Sequence, residues 1–212
     1  MRLPRLYAIV DAEMLASREI ALAGFVEDLR DAGVTLLQYR DKLGDEQEIL
    51  RNANLIAEIF HGREAILVMN DSPALAKHAG WNVVHVGQTD AVVVDARNML
   101  PPGGIVGCST HADQQVIAAD KAGADYIAIG PVFATATKKN ADPVVGLEGV
   151  RRARALTARP LVAIGGITFE NVASVIEAGA DSVAVIGALL DPALGPRAVV
   201  QKFFAAMPPV AP

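Results

Sequence analysis

Short apolar runs alternate with amphipathic stretches along this 212-residue chain, and no other feature constrains its fold as strongly. The apolar runs predict β-strands at 6–10, 35–39, 66–69, 83–86, 105–107, 126–129, 161–164 and 182–186. The clearest helical patterns between them cover 47–60, 111–122, 146–156 and 169–178. Eight strand–helix units of roughly 26 residues each predict a single (β/α)8 TIM barrel of the α/β class, near the lower size limit of that fold.

Local signals refine this prediction and leave one alternative. Glycine in Ala32-Gly33 and Ala178-Gly179 is placed to end a helix in the left-handed conformation, and Thr168 is a plausible N-cap. A doubly wound open sheet is the alternative fold. Such sheets usually have fewer strands and a glycine-rich first turn, whereas the first turn here is Val10-Asp11-Ala12. The barrel is therefore the better prediction.

Composition excludes several classes of function. The net charge is −5 and no basic run is present, which argues against nucleic acid as a partner. No apolar run has the length of a membrane span, and Asp11 and Glu13 stand where the apolar part of a signal peptide would lie. The single Cys108 excludes an internal disulfide framework. We expect a cytoplasmic protein with one domain over 1–207 and a frayed, proline-rich tail at 208–212.

Polar side chains follow several of the predicted strands, where the loops of a parallel barrel meet at one mouth. After strand 126–129 comes the loop 130–139, in which Thr135, Thr137, Lys138 and Lys139 combine hydroxyl donors with positive charge. Such a loop can bind an anionic ligand. A solvated surface loop is the alternative, and it is disfavoured because other strand ends carry matching polar groups.

The second strand ends in a motif that resembles a pyrophosphate clamp. The two-residue period of a strand places Gln38, Arg40 and Lys42 on one face, with Tyr39 and Asp41 on the other. An amide, a guanidinium and an ammonium that point together into a barrel mouth are suited to a diphosphate. An internal network of ion pairs with acidic residues is the alternative.

Two carboxylates follow the third and fourth strands. Asp71 comes after Asn70, and Asp90 follows Gln88-Thr89. Carboxylates at neighbouring strand ends suit a Mg2+ ion that is shared with substrate phosphates. Both residues also stand where a helix N-cap is expected, and spacing alone does not choose between these two roles.

The remaining strand ends carry weaker signals. Ser109 could approach a phosphate, but the spacing favours Ser109 or Thr110 as a cap of the next helix. Gly165-Gly166 and Ile186-Gly187 are candidates for phosphate binding through backbone N–H groups, with ordinary turns as the alternative. His85 alternates with apolar residues, which predicts a packed, hydrogen-bonded core group.

Taken together, these motifs closely resemble the thiamine phosphate synthase family over nearly the whole chain. The matching segments are 38–42, 70–71, 85–90, 107–111, 130–138 and 165–167, in this order and each at a predicted strand end. Two departures stand out: Gly80-Trp81-Asn82-Val83 precedes the fourth strand, and Gly187 stands where the family often has serine. The second departure removes one hydroxyl that could bind a phosphate.

The resemblance implies a reaction and a role for each matching residue. The family joins a hydroxymethylpyrimidine diphosphate to a thiazole phosphate and releases pyrophosphate with thiamine phosphate. By motif position, the implied pyrimidine diphosphate ligands are Gln38, Arg40, Lys42, Asn70, Ser109 and Lys138, with Tyr39 and Asp41 in the same substrate-binding motif. Of these, Arg40, Lys42, Ser109 and Lys138 are the implied catalytic residues. The implied Mg2+ ligands are Asp71 and Asp90, and the implied thiazole phosphate ligands are Thr135, Ala136, Thr137, Gly166, Ile186 and Gly187.

Other functions on the same barrel remain as alternatives. A thiazole tautomerase has no diphosphate to hold, so Arg40 and Lys42 argue against it. A non-catalytic phosphate sensor would be expected to lose the metal carboxylates, and both are present. A phosphosugar isomerase needs a general acid and base facing across the mouth, which the sequence does not offer. The oligomeric state stays open.

Overall fold

Eight parallel strands close into a barrel within residues 2–135 and 142–209, which are the residues that the computed structural model describes. The strands are β1 Leu6–Asp11, β2 Leu36–Arg40, β3 Ile66–Asn70, β4 Val83–Val86, β5 Ile105–Thr110, β6 Tyr126–Ile129, β7 Leu161–Ile164 and β8 Ser182–Val185. Each strand pairs with its neighbour in the chain, and β8 pairs with β1 in the register Tyr7 to Ala184. The predicted (β/α)8 barrel is confirmed, and the open sheet is excluded.

Helices connect the strands around the outside of the barrel. In the described residues they are α1 Ala12–Ala16, α2 Leu22–Asp31, α3 Glu46–Ile59, α4 Pro73–His78, α5 Val93–Met99, α6 Asp113–Lys121, α7 Gly146–Leu156, α8 Val172–Glu177 and α9 Gly195–Ala206, with a 3-10 helix at Gly187–Leu190. The predicted helix ends at Gly33 and Gly179 are confirmed, because both glycines have positive φ angles, 93° and 112°.

The predicted N-cap at Thr168 is wrong. Helix α8 starts at Val172 and follows Asn171, so it begins three residues later than the pattern 169–178 indicates. The Asn171 side chain instead accepts a hydrogen bond from the Thr168 backbone N–H at 2.9 Å, which closes a turn in front of the helix. Thr168, three residues before Asn171, is therefore part of this turn and not the cap of the helix.

Two apolar layers hold the barrel together. The larger core lies between the strands and the helices, and a second cluster fills the inside of the barrel. The buried residues of this inner cluster are Leu3, Tyr7, Ile9, Leu36, Val68, Val83, Tyr126, Ala128, Val162 and Ala184. They fill the interior below the carboxyl ends of the strands, so that the space above them remains available to a ligand.

The tail is tied to the start of the chain where the structure describes it. The Arg5 guanidinium donates hydrogen bonds to the backbone carbonyls of Pro208 and Pro209, two residues of the predicted frayed tail. Residues 210–212 lie outside the described part, so the tail as a whole stays a prediction. No helix among the described residues combines the length and the apolar character that crossing a bilayer requires.

Candidate active site at the barrel mouth

A cavity of about 670 Å³ opens at the carboxyl ends of the strands. All eight strands contribute to its wall, as the topology requires when every strand is parallel. The lining residues that belong to strands or follow them directly include Ile9, Gln38, Arg40, Lys42, Asn70, Asp71, His85, Asp90, Ser109, Ala128, Val162, Ile164, Gly166, Ala184, Ile186 and Gly187. Ile9, Ala128, Val162 and Ala184 belong to the cluster inside the barrel, whereas Arg40, Lys42, Asp71 and Asp90 stand at the ends of strands or in the loops after them.

The two cations of the predicted clamp face this cavity. Gln38, Arg40 and Lys42 all line it, which agrees with their common face on the strand. The Arg40 guanidinium bonds the carboxylate of Asp11, whose side chain is only 3% exposed. The Lys42 ammonium lies 2.9 Å from an Asp71 carboxylate oxygen. The ion pairs of the alternative interpretation are therefore present, but they lie in the cavity wall and hold both cations at the mouth.

Tyr39 and Asp41 lie away from the cavity, on the opposite face of the strand. Tyr39 is fully buried in the outer core, and its hydroxyl donates to Asp41 at 3.0 Å and accepts from the Asn52 amide at 2.8 Å. The Asp41 carboxylate also accepts a hydrogen bond from the Gly44 backbone N–H at 2.8 Å. These contacts shape the loop after β2 and support Lys42. The geometry does not support direct substrate binding by either residue, and we leave both out of the proposed site.

Asp71 and Asp90 meet at the mouth, and neither is a helix N-cap. Helix α4 is capped by Ser72, whose hydroxyl accepts from the Leu75 backbone N–H at 3.2 Å, and α5 begins after Val92. The Asp71 backbone takes a left-handed φ of 61°, an uncommon conformation that aspartate tolerates better than most residues. The N-cap interpretation of both carboxylates is therefore wrong.

The two carboxylates interact closely. Burial raises the pKa of Asp90, a hydrogen bond and the like charge of Asp71 raise it further, and the Gly87 backbone N–H and Lys42 lower it. In the described part of the chain, the charged residues that line the cavity are the carboxylates Asp71, Asp90 and Asp142 and the cations Arg40 and Lys42. A diphosphate would add further negative charge. A cation between Asp71 and Asp90 would relieve their repulsion.

This donor set fits Mg2+. In the described residues, no cluster of three or more His, Cys, Asp or Glu side chains is placed to hold a metal ion. Mg2+ does not need one, because it usually binds one or two carboxylates and completes its shell with waters and substrate phosphates. Asp71 and Asp90 offer oxygen donors only, beside Asn70 at the end of β3. The residues present are therefore suited to a shared Mg2+ ion.

Ser109 and Thr110 are not helix caps. Strand β5 continues through both residues, and α6 follows Ala112 without a side-chain cap. The Thr110 hydroxyl donates to the Ala128 carbonyl at 2.8 Å. The Ser109 hydroxyl lies at the cavity, 2.8 Å from Nε2 of His85. The preference for capping was wrong, whereas the interpretation of His85 as a buried, hydrogen-bonded group is confirmed.

The candidate thiazole phosphate residues lie on the other side of the cavity. Thr135, Gly166, Ile186 and Gly187 line it. The segment before Thr135 runs beside the end of β7, where the Phe133 backbone N–H donates to the Gly165 carbonyl at 3.0 Å. The other predicted members of this loop, Ala136, Thr137 and Lys138, lie outside the described residues, and their roles stay predictions.

We expect Gly166→Ala to destabilise this side of the mouth. Gly166 has a φ of 64°, and a Cβ atom there would lie 2.6 Å from the Ala134 carbonyl oxygen and 2.7 Å from Phe133 Cβ. Left-handed strain costs roughly 1–2 kcal/mol, and the backbone contact adds to it. Thermal unfolding should show a lower melting temperature, and the KM for the thiazole substrate should rise. Gly62→Ala is the control, since its φ is 75° but its Cβ would meet no atom within 4 Å. Equal effects of the two variants would contradict the packing argument.

Gly187→Ser should restore the hydroxyl that the family often has at this turn. Gly187 is the first residue of a 3-10 helix, a conformation open to any residue, so serine should not strain the backbone. One added hydrogen bond is worth about 0.5–1.5 kcal/mol net. We expect thiazole phosphate to bind equally well or up to about tenfold more tightly in a calorimetric titration. A folded variant that no longer binds thiazole phosphate would contradict this account.

Sequence reasoning missed several residues of the mouth. Asp11 is the partner of Arg40, and the alternation Tyr7, Ile9, Asp11 along β1 was the signal that would have found it. His111 lines the cavity, where its Nδ1 lies 2.6 Å from the Gly130 carbonyl and its Nε2 lies 3.3 Å from Asp142. No local pattern joins His111 to Asp142, because they come from different loops.

The family model and the most similar relatives agree on one family. A family model described as thiamine monophosphate synthase matches residues 6–189. A thiamine-phosphate synthase of Koribacter versatilis is 52% identical over 205 residues, covering 96% of this chain and 95% of that protein. The corresponding protein of Methanoculleus marisnigri is 43% identical over 158 residues, covering 74% and 75%. A solved thiamine phosphate pyrophosphorylase from Pyrococcus furiosus is 27% identical with a TM-score of 0.84, over 95% of this chain and 94% of that one.

Proposed function

The chain belongs to the thiamine monophosphate synthase family, and on that premise we propose that it joins a hydroxymethylpyrimidine diphosphate to a thiazole phosphate at the barrel mouth. It is a transferase of thiamine biosynthesis, and its substrates are small molecules. One observation supports this most directly: the cations Arg40 and Lys42 line the same mouth as the acidic pair Asp71 and Asp90. A diphosphate bound through Mg2+ needs both signs of charge in one place.

The distribution of charge in the cavity supports an orientation for the pyrimidine substrate. The inner wall is uncharged, with Ile9, Ala128 and Val162 beside the amide of Gln38. The charged groups Arg40 and Lys42 lie at the opening. An uncharged ring is best accommodated inside, and a diphosphate at the opening, since burying its charge without partners would be costly. We therefore place the pyrimidine ring toward Gln38 and the diphosphate toward the clamp and Ser109.

The proposed chemistry consists mainly of stabilising charge. When the bond from the pyrimidine methylene to the diphosphate breaks, negative charge develops on the leaving group. Arg40 and Lys42, which line the cavity, would donate hydrogen bonds to that group, and Ser109 would donate one more. Asp71 and Asp90 would hold Mg2+, which supplies further charge neutralisation to the leaving pyrophosphate when it is bound. No covalent nucleophile is required.

The second substrate would bind on the opposite wall. Thr135, Gly166 and the Ile186-Gly187 turn line the cavity region where we place the thiazole phosphate, which the backbone N–H groups and the Thr135 hydroxyl would bind. Binding there would hold the thiazole nitrogen near the pyrimidine methylene, so that attack follows departure of pyrophosphate without a diffusive step. Ala136, Thr137 and Lys138 belong to this proposal on sequence grounds alone, and so does the cytoplasmic location.

A direct assay tests the function. The purified protein is incubated with both substrates, with and without Mg2+, and thiamine phosphate and pyrophosphate are quantified. We expect equal amounts of the two products, formed only when both substrates and Mg2+ are present. Isomerisation of a thiazole carboxylate phosphate without thiamine phosphate would support the tautomerase alternative. Ligand binding without any product would support the sensor.

A further inference from the structure

A chain of hydrogen-bonded side chains crosses the barrel at the floor of the cavity. Its members are Gln38, Tyr7, Tyr126, His85 and Ser109, and we call it the buried polar chain. The Gln38 amide donates to the Tyr7 hydroxyl at 2.8 Å, and the Tyr7 and Tyr126 hydroxyls are 3.0 Å apart. His85 Nδ1 lies 3.1 Å from the Tyr126 hydroxyl, and its Nε2 lies 2.8 Å from Ser109 Oγ. Gln38, Tyr7, His85 and Ser109 contribute to the wall of the substrate cavity, and Tyr126 is the one member outside its lining.

Packing holds the aromatic members in place. Tyr126 fills the space beside Gly107, where a Cβ atom would lie only 2.0 Å from the tyrosine ring. The Tyr126 ring stacks on His85 with a centroid separation of 5.5 Å and meets the edge of Tyr7 at 6.2 Å. Gln38, Tyr7, Tyr126 and His85 are each no more than 8% exposed. The bond directions in the chain are therefore fixed by the barrel rather than by exchange with solvent.

A count of protons gives an arrangement in which the direction of each bond follows from the one before it. Burial raises the pKa of both Tyr7 and Tyr126, so each hydroxyl keeps its single proton. Because Tyr7 accepts from Gln38, its own proton is available for Tyr126. Tyr126 would then donate to Nδ1 of His85, and a neutral imidazole would carry its proton on Nε2, facing Ser109. The Ser109 hydroxyl would accept a hydrogen bond from this Nε2–H group, and its own O–H would then donate into the cavity.

We propose that Tyr7, Tyr126 and His85 are positioning residues that couple the hydrogen-bonding roles of Gln38 and Ser109. While the Gln38 amide nitrogen faces Tyr7, Ser109 presents a donor to the cavity and Gln38 presents its carbonyl oxygen as an acceptor. A ligand must then accept at Ser109 and donate at Gln38. A diphosphate, which has only acceptor oxygens, and an amino group on the ring meet this requirement together. This inference rests on the proposed function for the identity of the ligand. The hydrogen bonds of the buried polar chain do not depend on that function.

The protonation of His85 can be measured without any substrate. We would record imidazole 15N spectra of the ligand-free protein and identify the His85 signals by their loss in His85→Gln. We expect a neutral ring with the proton on Nε2, and in Tyr126→Phe a mixture of both tautomers, because Nδ1 loses its donor. A proton on Nδ1 in the wild type, a charged ring, or an unchanged tautomer in Tyr126→Phe would each overturn the proposal. If Tyr126→Phe does not fold, the wild-type spectrum alone still decides.

Kinetics test whether the chain acts through Ser109. We expect Tyr126→Phe to lower kcat/KM for the pyrimidine diphosphate about tenfold, and to lower it by less than about twofold further in a Ser109→Ala background. Thr157→Val is the matched control, since Thr157 is also a buried hydroxyl with two hydrogen bonds, to Asp120 and from Arg159, at the other end of the barrel. It should lower stability and leave kcat/KM unchanged.

The outcomes separate this inference from the proposed function. Additive effects of Tyr126→Phe and Ser109→Ala, or an equal loss of kcat/KM in Thr157→Val, would overturn the coupling even if thiamine phosphate is made. A protein that makes no thiamine phosphate but shows the expected His85 tautomer, and its change in Tyr126→Phe, would retain the buried polar chain and refute the function instead.

Discussion

Replacing Arg40 with alanine is expected to lower kcat/KM for the pyrimidine diphosphate by about a hundredfold or more. The guanidinium lines the mouth, where charge develops on the leaving pyrophosphate, and a charge-assisted contact of this kind contributes roughly 2–4 kcal/mol to the transition state. Arg40→Lys keeps the charge and loses the two-pronged donor, so it should recover only part of the rate. On sequence grounds we expect Lys138→Ala to show a comparable loss. Steady-state kinetics of pyrophosphate release measures all three.

The control must separate chemistry from the loss of a buried ion pair. Arg97→Ala is suited to this, because Arg97 is also a partly buried guanidinium paired with a carboxylate, 2.8 Å from Asp125, but lies outside the cavity. It should lower the melting temperature and leave kcat/KM within a few-fold of the wild type. Turnover of Arg40→Ala within a few-fold of the wild type would refute the clamp. The same would follow if Arg97→Ala lost as much activity.

Asp71→Asn and Asp90→Asn are each expected to lower turnover by about a hundredfold and to raise the Mg2+ concentration needed for half-maximal rate. Each change removes one of two carboxylates while keeping an oxygen at nearly the same place. For Asp90, that oxygen can still accept the hydrogen bond that the Gly87 backbone N–H donates at 2.7 Å. A rate titrated with Mg2+ for each variant checks the prediction.

Asp90→Asn should lower activity but should not lower the stability of the fold. Because the pKa of Asp90 is raised in the folded protein, the folded state binds this proton more tightly than the unfolded chain does. Its contribution to stability therefore falls as the pH rises through the folded pKa. Asp90→Asn has no such penalty. Without metal, its melting temperature should equal or exceed that of the wild type at neutral pH, and the two should converge as the pH is lowered.

A matched control makes the same change from aspartate to asparagine at a carboxylate outside the cavity. Asp191 also accepts a backbone hydrogen bond, from Ala193 at 2.8 Å, but it does not line the cavity. Asp191→Asn should leave the Mg2+ dependence and the turnover unchanged. If Asp90→Asn is fully active with an unaltered Mg2+ titration, the carboxylate serves the local turn and the metal assignment is wrong.

The sequence by itself determined the barrel and the place of its site. Eight apolar runs in strict alternation with helices leave few other folds, since each strand must be buried on both faces. The two-residue period of β2 was enough to bring Gln38, Arg40 and Lys42 to one wall, because strand geometry fixes which side chains share a face. Polar residues at strand ends then had to meet at one mouth, because all strands are parallel.

Only the tertiary structure decided which of these polar groups are partners. Asp71 and Asp90 each follow a strand as an N-cap would, and it took the positions of Ser72 and Val92 to show that the helices begin later. Similarly, β5 continues through the polar residues Ser109 and Thr110, which line the cavity. A local pattern does not reveal that the strand continues, because hydrophobic periodicity ends where a strand begins to line a ligand site.

The buried polar chain shows the same limit most clearly. Tyr7, Tyr126 and His85 lie on β1, β6 and β4, and each one taken alone in the sequence is an aromatic or polar residue in an apolar strand. Their contacts are made across the inside of the barrel, between strands that are not neighbours in the sheet. Such contacts depend on closure of the barrel and on its diameter. The local sequence is enough to predict the strands, whereas these side chains come together only when the strands close into a barrel.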